Sequence, residues 1–152
     1  MTASTQDSQQ DESARIDALT LELLTRYDTI TFVGASADPR KEAHTVPALM
    51  QSLGWRIIPV NPTAEQILGE KVYRTLADVP GPLGLVDVFR PGPQTPPVAQ
   101  AAVDAGAEAI WLQLGIASAQ ARAIATSAGL DYVEDRCLAI EIRRHGLTGP
   151  TR

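Results

Sequence analysis

Gly34, Ala35 and Ser36 follow directly on the apolar run Ile30–Val33, and Pro39, Arg40 and Lys41 come a few residues later. Small side chains at the end of a strand let an oxyanion approach the backbone, and Ser36 adds a hydroxyl donor. Each charge-assisted hydrogen bond to such an oxyanion contributes roughly 1.5–3 kcal/mol. The adjacent cations Arg40 and Lys41 can neutralise a second phosphate, or form a solvated pair partnered by Asp38 or Glu42. The chemistry indicated is phosphate binding. Pro59-Val60-Asn61-Pro62 offers a rigid extended edge, with Val60 and Pro62 as a surface for a purine and Asn61 for its polar groups. Phe89-Arg90 ends another apolar run and aims a cation at the same place, and Gln113 ends a fourth.

These residues do not form a reactive set. There is no Ser-His-Asp arrangement, no pair of carboxylates at converging strand ends and no metal-ligand cluster, so no catalytic residue and no metal ligand is assigned and a non-enzyme is expected. His44, without a placed acid or nucleophile, reads as a cap or a ligand contact. Cys137, beside Arg136, reads as a buried structural thiol. The dinucleotide fingerprint Gly-x-Gly-x-x-Gly is present only in Gly34, and the second strand ends in Asn61-Pro62 rather than in an acid. A bare NAD site is disfavoured on both counts, while an NADP site remains open because Arg40 and Lys41 can meet a 2′-phosphate.

The elements that position these residues alternate. Strands are predicted at Ile30–Val33, Trp55–Val60, Leu83–Phe89, Ala109–Leu114 and Leu130–Val133, and the lack of alternation in the first fits burial on both faces. Helices are predicted from Ser13 to about Tyr27, over Val46–Leu53 with Pro47 in the first turn, from Thr95, over Ser118–Ser127, and over Leu138–Arg144. Glu65–Tyr73 reads as a short irregular crossover, and Thr75 caps a single turn. Short links and strict alternation specify a doubly wound parallel sheet of five strands with helices on both faces. Ligands of such sheets sit beyond the carboxyl ends of the strands, where every candidate above is placed.

The chain has 152 residues, 44% hydrophobic and 20% charged, enough for one domain with a sizeable core. Its net charge of −5 is uneven: residues 1–28 carry six acids and two arginines, and the rest is nearly neutral. With no basic stripe and 5% aromatics, nucleic acid is not an expected partner. No apolar stretch approaches a membrane span of about 20 residues. A single cysteine excludes an intramolecular disulfide framework, and a cytoplasmic location is expected. Residues 1–12 are expected as a disordered tail, 13–146 as one domain and 147–152 as a C-terminal tail.

The chain resembles the small stand-alone coenzyme A-binding proteins of bacteria and archaea, whose domain is similar to the N-terminal CoA-binding domain of the succinyl-CoA synthetase alpha subunit. The resemblance rests on Val33-Gly34-Ala35-Ser36 with Pro39 and Lys41, Val60-Asn61-Pro62, Ile67-Leu68-Gly69-Glu70 with Tyr73, and Val88-Phe89-Arg90. It continues through Gly106-Ala107, Trp111-Leu112-Gln113, Ala128-Gly129-Leu130 and Asp135-Arg136-Cys137. The order and spacing of these short motifs are specific together. The resemblance implies an α/β, Rossmann-like fold holding CoA or an acyl-CoA, with Gly34–Ser36 on the pyrophosphate, Val60–Pro62 along the adenosine, and Arg40 or Lys41 near the CoA phosphates, including the 3′-phosphate. The synthetase subunit carries its phosphorylated histidine in a second domain for which this sequence has no room, so ligase chemistry by this chain alone is not expected. The function expected is non-catalytic binding of CoA or acyl-CoA, as a sensor or accessory module, through Gly34, Ala35, Ser36, Arg40, Lys41, His44, Val60, Asn61, Pro62, Phe89, Arg90 and Gln113. An NAD(P)-binding oxidoreductase domain and the CoA-binding subunit of a multi-chain acyl-CoA ligase are the alternatives. A partner enzyme or a second copy of the chain is left open.

Overall fold

Five short strands rich in Ile, Val, Leu and aromatic residues carry the core, because each is covered on both faces. The computed structural model describes residues 4–151. Its elements run α1 (Ser4–Arg26), β1 (Thr29–Val33), α2 (Glu42–Ser52), β2 (Arg56–Val60), β3 (Gln66–Ile67), β4 (Glu70–Lys71), β5 (Leu85–Val88), α3 (Thr95–Asp104), β6 (Ala109–Leu112), α4 (Ala119–Ser127), β7 (Asp131–Val133) and α5 (Leu138–Arg144). The main sheet is parallel throughout, in the order β2-β1-β5-β6-β7. This is the α/β, Rossmann-like, doubly wound arrangement expected from the sequence.

The period-2 alternation of the strands divides the interior into two layers. Ile30, Phe32, Leu85 and Trp111 face one side, where they pack with Leu23 and Leu24 of α1, Met50 of α2 and Leu138 and Ile142 of α5. Val33, Val86, Val88, Ile110 and Leu112 face the other, against Ala99 and Ala102 of α3 and Ala121 and Ala125 of α4. Alanine lets these two helices lie close to the sheet. Since α2 leaves β1 on one face and α3 leaves β5 on the other, the chain reverses between β1 and β5. Their carboxyl ends therefore form the topological switch point, the position at which open α/β sheets bind ligands.

Several elements differ from their predicted bounds. The first helix begins at Ser4 rather than Ser13, so residues 4–12, expected as tail, are its opening turns; residues 1–3 lie outside the described residues. Residues 5–12 are exposed, and their helicity rests on local terms such as Asp7 at the positive end and the Glu12–Arg15 pair at 2.6 Å. Pro47 lies in the interior of α2, not in its first turn, because the helix begins at Glu42. Residues 65–73 are ordered by a two-residue hairpin, with Leu68 and Gly69 both at positive φ (55° and 78°) between β3 and β4. Residues 147–151, expected as a tail, return to the body, where Leu147 packs on the first core layer and the Thr151 hydroxyl donates to Thr25 O at 2.7 Å.

Candidate functional site at the carboxyl ends of the strands

Gly34 is required by geometry before any ligand is considered. Its φ is +87°, and a Cβ there would collide with the carbonyl oxygen of Phe89 at the end of β5. The glycine thus allows the ends of β1 and β5 to close on one another. Its N–H donates to Val60 O at 3.0 Å, which ties the turn to β2 as well.

Ser36 is also engaged internally. Pro47 has no N–H, so Ala43 O would lack its helical donor. Ser36 N–H donates to that oxygen at 3.0 Å. The Ser36 hydroxyl accepts from Asp38 N–H at 3.0 Å, and its carbonyl accepts from His44 Nδ1 at 2.8 Å. A carbonyl can only accept, so Nδ1 carries the proton, and a neutral His44 presents Nε2 as an acceptor. His44 therefore addresses the carbonyl of Ser36 and not its hydroxyl. Among the described residues, the amides of Ala35 and Ala37 have no protein acceptor. Ala35 is fully buried and Ala37 exposed, so the Ala37 N–H, rather than those of 34–36, is the donor the turn leaves at the surface.

The two adjacent cations part company. Arg40 donates from Nε and Nη2 to the two carboxylate oxygens of Asp38, each at 3.0 Å, and its backbone N–H donates to the same group at 3.0 Å. Those bonds hold the Asp38 carboxyl below the usual carboxylate range and push the guanidinium up. Lys41, exposed at the first turn of α2, and Arg90, half-buried after β5, have no ion-pair partner among the described residues. Both leave free positive charge at the switch point.

Asn61 is fully employed by the fold. Its Nδ2 donates to Ala35 O at 2.8 Å, and its Oδ1 accepts from the N–H groups of Thr63 and Ala64 at 2.8 Å each. The side chain thus shapes the turn after β2 and fastens it to the glycine turn. Val60 is buried in the second core layer, and Pro62 stands exposed on the rim. Phe89 is half-buried against the first layer, with its N–H donating to Val33 O at 2.8 Å. Gln113 turns inward: it is 2% exposed, and its Oε1 accepts from Leu138 N–H at 3.1 Å at the start of α5. Leu114 is what β6 presents outward, 53% exposed. Cys137 is half-buried against the first layer, and the neighbouring Arg136 guanidinium is bound to Asp17 at 3.1 Å and Glu141 at 3.0 Å.

Two residues of this region are absent from the sequence-based set. Arg74 donates from Nη1 to Asn61 O at 3.1 Å and to Ala64 O, so it braces the turn after β2. Nothing local marks it, since it lies 13 residues from Asn61. Asp87 occupies the middle of β5, opposite Phe32 on one side and Trp111 on the other, and neither carboxylate oxygen has a hydrogen-bond partner. Burial pushes its pKa well above the ordinary value of 3.8. Its signal was present in the sequence: a single acid inside Leu85-Val86-Asp87-Val88-Phe89. Among the described residues no cluster of His, Cys, Asp or Glu could hold a metal ion, and no helix is long and apolar enough to cross a membrane.

The comparisons with known proteins agree with this architecture. Residues 28–143 match the family described as CoA binding domain. The Bacillus subtilis protein YneT is 35% identical over 119 residues, covering 78% of this chain and 88% of that protein. The solved structure of a hypothetical protein from Pyrococcus horikoshii superposes with a TM-score of 0.81 at 35% identity, over 84% of this chain and 90% of that one. A segment of 63 residues is 33% identical to the ADP-forming acetate–CoA ligase II subunit alpha of Pyrococcus furiosus, covering 41% of this chain and 14% of that subunit. With most of its length matched in sequence and in fold, the chain belongs to the CoA-binding domain family.

Proposed function

We propose that this protein binds coenzyme A or an acyl-CoA at the carboxyl ends of β1, β2 and β5 and performs no chemistry on it. The observation that carries this reading is the set of unpaired polar and charged groups at the switch point. The unpaired, exposed amide of Ala37 belongs to the same strand-end region as two cations, Lys41 and Arg90, that have no ion-pair partner among the described residues. A pyrophosphate supplies the missing acceptors and charge. Gly34 keeps the backbone open to it, and His44 offers Nε2 to a hydroxyl or amide of the ligand. Pro62 and the turn held by Asn61 lie along the adenosine. Val60, Asn61 and Gln113 act by positioning: their polar groups or surfaces are engaged inside the protein. Arg40, paired with Asp38, is not a principal phosphate ligand. We assign the protein a cytoplasmic sensor or accessory role for the CoA pool.

Titration calorimetry of the purified protein with CoA, acetyl-CoA, NAD and NADP tests the reading. CoA and acetyl-CoA should bind in the micromolar range and NAD should not. Lys41→Ala and Arg90→Ala should each weaken CoA by about tenfold, the loss of one charge-assisted contact. Binding of NADP with no detectable binding of CoA would sink the assignment.

A further inference from the structure

We propose that Arg74 reads a phosphate on the ribose of the bound adenine nucleotide. The inference rests on the CoA reading of the site and adds its specificity determinant. The segment carrying Arg74 runs beside β2: Tyr73 N–H donates to Pro59 O at 3.0 Å and Asn61 N–H to Tyr73 O at 2.9 Å. This pairing delivers residue 74 to the carboxyl end of β2. There Nη1 is fixed by the carbonyls of Asn61 and Ala64. Nε and Nη2 keep their donors free, and no described carboxylate pairs with the guanidinium.

The position is rigid relative to the phosphate turn. Asn61 accepts the arginine at its carbonyl and donates through its side chain to Ala35 O at 2.8 Å. One residue therefore joins Arg74 to the backbone expected to hold the pyrophosphate. In parallel sheets that bind adenine dinucleotides, the end of the second strand handles the ribose, with an acid for free hydroxyls and an arginine for a phosphate. Here that end reads Asn61-Pro62-Thr63-Ala64, with no acid, and its cation arrives from the neighbouring segment. Arg40, the cation that sequence proximity favours for this role, is neutralised by Asp38. Lys71, 5.2 Å from the centre of the Tyr73 ring, adds positive potential along the same edge. The ligand group is thus a ribose phosphomonoester, carried as a 3′-phosphate by CoA and as a 2′-phosphate by NADP.

Calorimetry with CoA, dephospho-CoA, NADP and NAD, on the wild type and on Arg74→Gln and Arg74→Lys, tests this. Glutamine keeps N–H donors for the two carbonyls and lacks the charge; lysine keeps the charge. The wild type should bind CoA about tenfold more tightly than dephospho-CoA, as expected for one charge-assisted contact. Arg74→Gln should bring CoA down to the dephospho-CoA level and leave dephospho-CoA unchanged, while Arg74→Lys retains part of the preference. If Arg74→Gln weakens both ligands equally, or leaves their ratio unchanged, Arg74 only braces the turn and the proposal fails. Equal wild-type affinity for CoA and dephospho-CoA overturns the proposal but not the CoA site. Binding of none of the four overturns both. An Arg74-dependent preference for NADP over NAD, without CoA binding, supports the role of Arg74 and overturns the CoA reading.

Discussion

Replacing Asp87 by Asn should make the protein more stable at neutral and alkaline pH, and the gain should grow with pH over a defined interval. Asp87 is fully buried on β5, between Phe32 and Trp111, with both oxygens unpartnered. Burial disfavours the charged form, so its folded pKa lies well above the ordinary 3.8. Between those two values the native state holds one proton that the unfolded chain has released. Stability from this group is therefore complete below the unfolded pKa and is lost as pH rises through the folded one. The maximum slope for one proton is about 1.36 kcal/mol per pH unit. Asn has the same shape and does not titrate. Its unpaired amide and the unpaired neutral acid both suffer the desolvation of a buried polar group, about 1–3 kcal/mol, so the two proteins should be close in acid. Urea denaturation from pH 4 to pH 9 on both proteins measures the difference, in which groups far from Asp87 cancel. The gap should open at up to about 1.36 kcal/mol per unit and then level. Parallel profiles, or an Asn variant less stable throughout, would show that the ionised carboxylate is compensated and would refute the reasoning.

Three further outcomes follow from the contacts. Asn61→Ala removes the bond to Ala35 O and three acceptor contacts in the turn, so it should cost about 1–3 kcal/mol in denaturation and also weaken CoA, because the glycine turn loses its tether. Gly34→Ala places a Cβ against Phe89 O at a φ of +87°, and thermal denaturation should show a loss of about 2 kcal/mol or more. Asp17 behaves oppositely to Asp87: the guanidinium groups of Arg144 and Arg136 hold its carboxyl below the usual range. Its contribution is present above the unfolded pKa and is lost as pH falls through the folded one. Asp17→Asn should thus be less stable than wild type at pH 7 and show a flatter acid limb in urea titrations.

How much of this was legible in the chain differs from residue to residue. The parallel sheet with helices on both faces follows from apolar runs, short links and crossover handedness, all local or topological signals, whereas the strand order comes from the structure. Gly34 was legible as a glycine that matters, but its reason is a carbonyl 55 positions away in sequence, at Phe89. Gln113 stands at a strand end like the others, yet it faces inward because the first amide of α5 needs an acceptor. Pro47 reads from sequence as a first-turn residue because nothing local reveals that α2 starts at Glu42, or that Ser36 replaces the missing donor. Arg40 and Asp38 are near neighbours, so their pairing was within reach of the sequence; the absence of any such partner for Lys41 and Arg90 was not.

The sequence by itself determined the kind of protein this is. Alternation of buried strands with helices, a glycine turn after the first strand and a proline stop after the second suffice for a parallel sheet with its turns gathered at the carboxyl ends, because backbone hydrogen bonding and burial leave few other arrangements. Tertiary structure decided which groups remain free to bind. Each donor, acceptor or charge at the strand ends can be satisfied by a partner distant in sequence, and only the folded arrangement shows that Ser36, Asn61 and Gln113 are taken while Ala37, Lys41, Arg74 and Arg90 have capacity left.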